Sequence, residues 1–252
     1  MSPGERTSAE RSAAASLIAA VIFDLDGVLI DSEQVWAAAR EELVRERSGH
    51  WRSDATREMM GMSSPEWSRY MHDVLGVPMA PEQIAEEVVE RLRALYRERL
   101  PLLPGAREAV TSLASRWPLG LASSANRPIV EEVLDLADLR ELFAATVSAE
   151  EVARGKPAPD VYIEAAARLA VVPSECVAVE DSTNGLRAAA AAGMRLIAVP
   201  NREYPPDASA LELADAVVRT PGEIGPALVA KLGSRAARRR RRAGGRPVDR
   251  SI

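Results

Sequence analysis

The sequence predicts an α/β fold in which a parallel-sheet core is interrupted, after its first strand, by a helical insert. Three observations carry the prediction. A short apolar run, Ala19-Ala20-Val21-Ile22-Phe23, ends in an aspartate, as a strand buried on both faces does. Residues 32–99 show helical periodicity with no strand pattern among them. From residue 105 onward, strand-like and helical stretches alternate, which implies right-handed crossovers and a sheet covered on both faces.

The elements follow in order. Residues 1–18 are rich in Ala, Ser and Arg and read as a loose leader. The first strand occupies 19–24. Ser32 is placed to cap a helix that carries Val35, Trp36, Ala39, Leu43 and Val44 on one face. Amphipathic stretches at 54–60, 65–75 and 81–100 complete the insert, so residues 32–100 form one unit. The core is then 19–31 with 101–233. Within it, helices are expected at 105–116, 128–136, 159–170, 183–192 and 221–232. Strands are expected at 119–122, 145–147, 177–179, 195–199 and 216–218. Ligands of such sheets bind beyond the carboxyl ends of the strands. Asp24, Ser123 and Asp181 each follow or close a predicted strand, so the fold gathers them at one edge.

Composition removes several classes of function. One cysteine and two histidines leave no disulfide scaffold, no structural zinc and little histidine catalysis. Cys176 lies in a strand-like run and is expected to be a buried, inert thiol. His50 and His72 fall in the insert, as surface or packing residues. No run of 18 apolar residues exists, so no membrane span and no membrane partner are expected. The apolar stretch behind Arg11 ends in Asp24-Leu25-Asp26 rather than a cleavage site, and a cytoplasmic protein is the simpler expectation.

Of the 32 basic residues, 30 are arginine; the lysines are Lys156 and Lys231. Eight arginines fall within 235–252, and without that stretch the formal charge moves from −5 to −12. The segment 234–252 is therefore expected to be a disordered basic tail on an acidic body. It is open to weak, nonspecific contact with anions or nucleic acid, against the plainer reading of a solvated tail.

Four segments carry chemistry. In Asp24-Leu25-Asp26-Gly27, the two-residue spacing puts both carboxylates on one face of an extended segment, and Gly27 lets the backbone turn away. Glu180-Asp181 closes another apolar run and offers the hard oxygen ligands that Mg²⁺ prefers, beside water and substrate phosphate. Lys156, between Gly155 and Pro157 in a loop stiffened by two prolines, is a compact cation suited to a transferring phosphoryl group. Leu121-Ala122-Ser123-Ser124-Ala125-Asn126 supplies hydroxyls and amides for phosphate oxygens from Ser123, Ser124 and Asn126, with Arg127 near; Asn126 serves equally well as a helix cap.

These segments, in this order, resemble the motifs of the haloacid-dehalogenase superfamily, in the subgroup whose helical cap follows the first motif. The resemblance spans residues 20–221. It implies a Rossmann-like core, Mg²⁺ as cofactor and a small phosphorylated metabolite, such as a sugar phosphate, as substrate. By match to the motifs, Asp24 is the nucleophile that forms an aspartyl-phosphate and Asp26 the general acid–base. Lys156 stabilises charge. The metal shell takes Asp24, the main-chain carbonyl of Asp26, Asp181 and, directly or through water, Glu180. Gly61, in Met59-Met60-Gly61-Met62-Ser63-Ser64, resembles the substrate-specificity loop of the cap.

The β-phosphoglucomutase branch places a histidine in the first cap helix and an arginine in this loop. Trp36 and Ser64 stand at those positions here, which favours a phosphatase over a phosphomutase. Asp26 disfavours a dehalogenase, and an insert without lysine disfavours a phosphonatase. A non-catalytic phosphate- or nucleic-acid-binding protein is the alternative from another class; the intact set Asp24, Asp26, Lys156 and Asp181 speaks against it.

Overall fold

The structure, a computed structural model, describes residues 18–60 and 62–243, with side chains described as far as residue 234. Strand β1 (Ala20–Phe23) is followed by four helices: α1 (Glu33–Glu46), α2 (Ala55–Met59), α3 (Ser64–Asp73) and α4 (Pro81–Glu98). The alternating part then runs α5 (Ala106–Ala114), β2 (Leu119–Ser123), α6 (Arg127–Leu136), β3 (Phe143–Ser148), α7 (Asp160–Arg168) and β4 (Cys176–Glu180). It closes with α8 (Thr183–Ala191), β5 (Arg195–Ala198), α9 (Ala208–Leu211), β6 (Ala216–Val217) and α10 (Pro226–Ala243).

The six strands form one parallel sheet in the order β3-β2-β1-β4-β5-β6. β1 is central, and the chain leaves it in opposite directions to β2 and β4, which makes its carboxyl end the switch point where such sheets bind ligands. Alternation along β1 explains its unbroken apolar run. Val21 and Phe23 enter a cluster that continues into the helical insert, and Ala20 and Ile22 enter the cluster on the opposite face.

The insert is built by helical periodicity. On α4 the buried residues are Ile84, Val88, Leu92 and Tyr96, four apart, and that stripe packs against α1, α3 and the core helix α6. Arg93 and Arg97 of α4 both reach Glu132 of α6, with Arg93 Nη2 at 3.0 Å and Arg97 Nε at 2.6 Å, so one carboxylate ties insert to core.

Three expectations need correction. The last helix does not run from 221 to 232: Pro221–Glu223 forms a short 3₁₀ turn, and α10 begins at Pro226. Gly225 interrupts the pattern, and proline at the first turn of a helix costs no hydrogen bond. The helix also continues to Ala243, into the stretch expected to be disordered. Alanine and arginine are both strong helix formers, so the backbone there follows intrinsic propensity. Ser32 stands at the N-cap of α1 but its side chain makes no cap bond; its hydroxyl has a stronger acceptor, described below. The leader 1–17, Gly61 and residues 244–252 lie outside the described residues.

Candidate active site

The register of the sheet assembles the acidic centre. Phe23 pairs with Val179, and the ladder continues one step as Asp24 N donates to Val179 O at 3.0 Å. Asp24 is thereby set beside Glu180 and Asp181 at the ends of two adjacent strands. One carboxylate oxygen from each of Asp24, Glu180 and Asp181 falls within 4.8 Å of the others, and all three residues are buried.

Lys156 enters this cluster from the loop before α7. Its Nζ donates to Asp24 Oδ1 and Glu180 Oε1, both at 2.5 Å, and its side chain is 4% exposed. Glu180 is fully engaged by the protein. Its Oε1 also accepts from Tyr162 Oη at 2.6 Å, and its Oε2 accepts from Asp181 N at 3.1 Å and Ser182 Oγ at 3.3 Å. Tyr162 additionally faces the ammonium with its ring, 5.0 Å from Nζ to the centroid. Two glycines leave the room this packing needs. A Cβ on Gly27, whose φ is +76°, would collide with the Asp181 carboxylate, and one on Gly185 with the Glu180 carboxylate.

Fully ionised, three carboxylates around one ammonium would leave net negative charge out of water, and the proton affinities of the acids rise in response. Burial raises Asp24 to about 8, opposed by Lys156 and reinforced by Glu180 and Asp26. Burial and the carboxylates of Glu180, Asp24 and Glu33 hold Asp181 well above its ordinary value. Burial alone would lower Lys156, but Asp24 and Glu180 raise it on balance, so the ammonium persists. A cluster of hard oxygens that binds protons this readily suits a divalent cation, which would take their place.

Asp26 follows Asp24 by only two residues, yet its partners come from the start of α1 and its N-cap. Ser32 Oγ donates to Asp26 Oδ1 at 2.5 Å and Trp36 Nε1 donates to the same oxygen at 3.2 Å. Burial raises Asp26, and these two donors partly offset it. A hydroxyl bound to a buried carboxylate is worth more than a cap bond to an exposed amide, which explains why Ser32 leaves the helix end.

A cavity of about 520 Å³ opens over these groups. Asp24, Asp26, Lys156, Asp181 and Ser124 line its floor, and Trp36, Arg40, Met62, Ser64 and Trp67 of the insert line its roof. Ser124 is thus brought to the cavity with the acids and Lys156. Ser123 is fully buried at the end of β2, with its Oγ accepting from Ala125 N at 3.0 Å, and it does not line the cavity. Asn126 does not line the cavity and its side chain makes no cap bond. Its Oδ1 accepts from Ser64 Oγ at 2.7 Å and its Nδ2 donates to Glu150 Oε1 at 2.6 Å. The structure does not bring Asn126 into the cavity beside Ser124, because the insert takes its amide oxygen and the core takes its amide nitrogen. Trp36, whose common fate is core packing, is buried and also contacts Asp26. Ser182 keeps its cap role, accepting from Gly185 N at 3.1 Å.

Sequence reasoning missed Tyr162, Gly185 and Arg40. Tyr162 and Gly185 act only through the burial of Glu180, which no local pattern announces. Arg40 had a signal: it stands four residues after Trp36, in the buried stripe of α1 with Ala39, Leu43 and Val44.

A parallel α/β sheet whose switch point gathers four acids and a lysine beneath a helical roof defines a hydrolase-type centre for anionic substrates. The chain belongs to the haloacid dehalogenase-like hydrolase family, whose model matches residues 18–193. Hydrolases of this family use a divalent metal, and a buried acidic cluster that could hold one is present here. Similar proteins include hexitol phosphatase B of Escherichia coli, 40% identical over 192 residues, with 74% of this chain and 85% of that protein covered. A phosphorylated carbohydrates phosphatase of Thermotoga maritima is 34% identical, over 71% of this chain and 83% of that protein. Among solved structures, CbbY of Rhodobacter sphaeroides in complex with phosphate is 30% identical with a TM-score of 0.76, covering 85% of this chain and all of that one. A putative β-phosphoglucomutase of T. maritima is 34% identical with a TM-score of 0.67, covering 83% and 98%. Among the described residues, no helix is long and apolar enough to cross a membrane.

Proposed function

We propose that the protein is a Mg²⁺-dependent phosphatase that hydrolyses a small phosphorylated carbohydrate through an aspartyl-phosphate on Asp24. The observation that carries the reading is the position of Lys156 Nζ, 2.5 Å from both Asp24 and Glu180 at the floor of the cavity. A buried carboxylate held against a fixed ammonium is oriented for attack on phosphorus, and the ammonium remains to neutralise the transferring group. The names of the relatives, a hexitol phosphatase and a carbohydrate phosphatase, support the substrate class.

The cation would be held by Asp24, Asp181 and the main-chain carbonyl of Asp26. Glu180, already saturated by Lys156, Tyr162 and main-chain donors, serves better as the anchor of Lys156 than as a direct ligand. The bound cation would supply charge stabilisation for the phosphoryl oxygens.

The protein's own residues account for the proton and group transfers. An Asp24 carboxylate oxygen attacks phosphorus, and the bond to the ester oxygen breaks. Asp26, whose hold on a proton burial strengthens, gives its proton to the departing alkoxide. The resulting carboxylate then takes a proton from the water that attacks the aspartyl-phosphate, and inorganic phosphate leaves. Ser124 faces the cavity as a phosphate donor, and the amides after Ser123 are set beside it.

A phosphomutase is the second reading, since one similar structure is a putative β-phosphoglucomutase. Trp36 and Ser64 oppose it. Trp36 spends its indole N–H on Asp26, and Ser64 spends its hydroxyl on Asn126, so neither offers charge to a second phosphate. Time-resolved product analysis with hexose and hexitol phosphates and Mg²⁺ decides the matter. Stoichiometric inorganic phosphate is expected; isomerisation faster than phosphate release would establish the mutase. Failure to turn over any phosphate ester would return the site to binding alone.

A further inference from the structure

Arg40 is a cation in a place where α1 otherwise buries apolar side chains. It is 7% exposed, and its guanidinium carbon lies 4.6 Å from the ring centroid of Trp36 and 4.8 Å from that of Trp67. The two indoles meet edge to face at 5.9 Å, so the guanidinium is fixed by both. No carboxylate among the described residues comes within ion-pair distance of it, and its buried Nε has no hydrogen-bond partner. Such a group is costly unless something completes its donors; packing closes off Nε, so a molecule in the cavity can reach only the two Nη groups. Burial lowers its pKa to about 10, offset in part by Glu33 and Asp26, so it is still a cation at neutral pH.

Arg40 lines the cavity over Asp24 and Asp26, on the side where a leaving group must lie. The cavity lining also carries Glu33, Glu203 and Asp207, with Arg57 and Lys156 as its other cations. Those acids accept hydrogens from hydroxyls and repel a second phosphate. A neutral chain of hydroxyls satisfies both kinds of wall, because each hydroxyl accepts from the guanidinium and donates to a carboxylate.

We propose that Arg40 is a specificity-determining residue that binds the hydroxyl oxygens of a neutral polyhydroxylated leaving group, and that Glu33 accepts from the same chain. This deepens the phosphatase reading and rests on it for the orientation of the substrate. Sites built to hydrogen-bond a substrate hydroxyl reject analogues that lack it, because the site's own donors are left unpaired. Arg40 acts on selection; it transfers no proton.

The test compares Arg40→Met and Arg40→Lys with the unaltered protein on a hexitol phosphate and on p-nitrophenyl phosphate, both with Mg²⁺. Methionine keeps the bulk against the two indoles and removes the donors. Arg40→Met is expected to lower kcat/KM for the hexitol phosphate at least about tenfold more than for p-nitrophenyl phosphate, chiefly through KM. Arg40→Lys, which keeps the charge but loses the planar fork, is expected to fall between. Equal losses on both substrates, or no loss on either, would overturn the proposal. Binding separates this from the phosphatase reading. Quenching of Trp36 and Trp67 fluorescence by the hexitol phosphate, in the Asp24→Asn background, is expected to weaken about tenfold or more with Arg40→Met. A selective loss of binding with no turnover by the unaltered protein would sink the phosphatase and leave Arg40 standing; unchanged binding would sink Arg40. If Arg40→Met fails to fold, Arg40→Lys carries the same comparison.

Discussion

Gly185 is a glycine because the carboxylate of Glu180 occupies the place where its Cβ would be. The first turn of α8 and the end of β4 therefore share one volume, and the fully buried Glu180 can turn towards Lys156 only because that volume is left open. Intrinsic propensity predicts that Gly185→Ala, inside a helix, stabilises by roughly 1 kcal/mol. Packing predicts the reverse, a loss of about 1–3 kcal/mol from overpacking, with activity falling as Lys156 is displaced. Denaturant unfolding of the purified variant reads the sign directly. A gain in stability would mean that Glu180 is not held where the structure has it.

Ser32 and Trp36 offset part of the rise that burial imposes on Asp26. Both donate to its Oδ1, and both favour the ionised form. Removing the shorter bond in Ser32→Ala raises Asp26 further, so the limb of the kcat/KM profile that reports its deprotonation moves to higher pH. Trp36→Phe moves it the same way by less, since its bond is longer. A profile that stays in place in both variants would remove Asp26 from proton transfer.

Cation binding should depend on pH with a defined sign. Asp24 has a folded value of about 8 against an ordinary 3.8. In chelator, the folded state holds a proton on Asp24 between those values while the unfolded chain does not, so stability falls as pH rises through that window. A divalent cation competes with that proton. The rise in melting temperature on adding Mg²⁺ is therefore expected to be larger at about pH 8 than at about pH 5. An equal rise at both would place the cation elsewhere.

Ser64 and Asn126 hold the insert against the core through one buried hydrogen bond of 2.7 Å. Ser64→Ala leaves the Asn126 oxygen without that donor, at an expected cost of about 1–3 kcal/mol. Urea unfolding measures it. A change near zero would mean that water replaces the hydroxyl freely and that this contact does not tie the two parts.

Strand positions were legible in the sequence because each β element is a short apolar run bounded by charge, glycine or proline. The acids and Lys156 were legible because their residue types are unusual at the ends of such runs. The fate of Asn126 was not, since its partner Ser64 lies 62 positions away. Gly185 and Tyr162 were hidden for a related reason: their roles follow from the direction in which Glu180 points, which spacing does not encode. Ser32 was misread because cap and carboxylate competed for one hydroxyl, and only the distance to Asp26 shows which wins.

The central claim is that phosphorus passes through Asp24. Rapid acid quench of the protein during turnover of a radiolabelled phosphate ester, followed by proteolysis and mapping of the labelled peptide, tests it most directly. The account predicts an acid-stable, base-labile label on Asp24, absent from Asp24→Asn. Full turnover with no label on Asp24, or normal turnover by Asp24→Asn free of contaminating phosphatase, would contradict it.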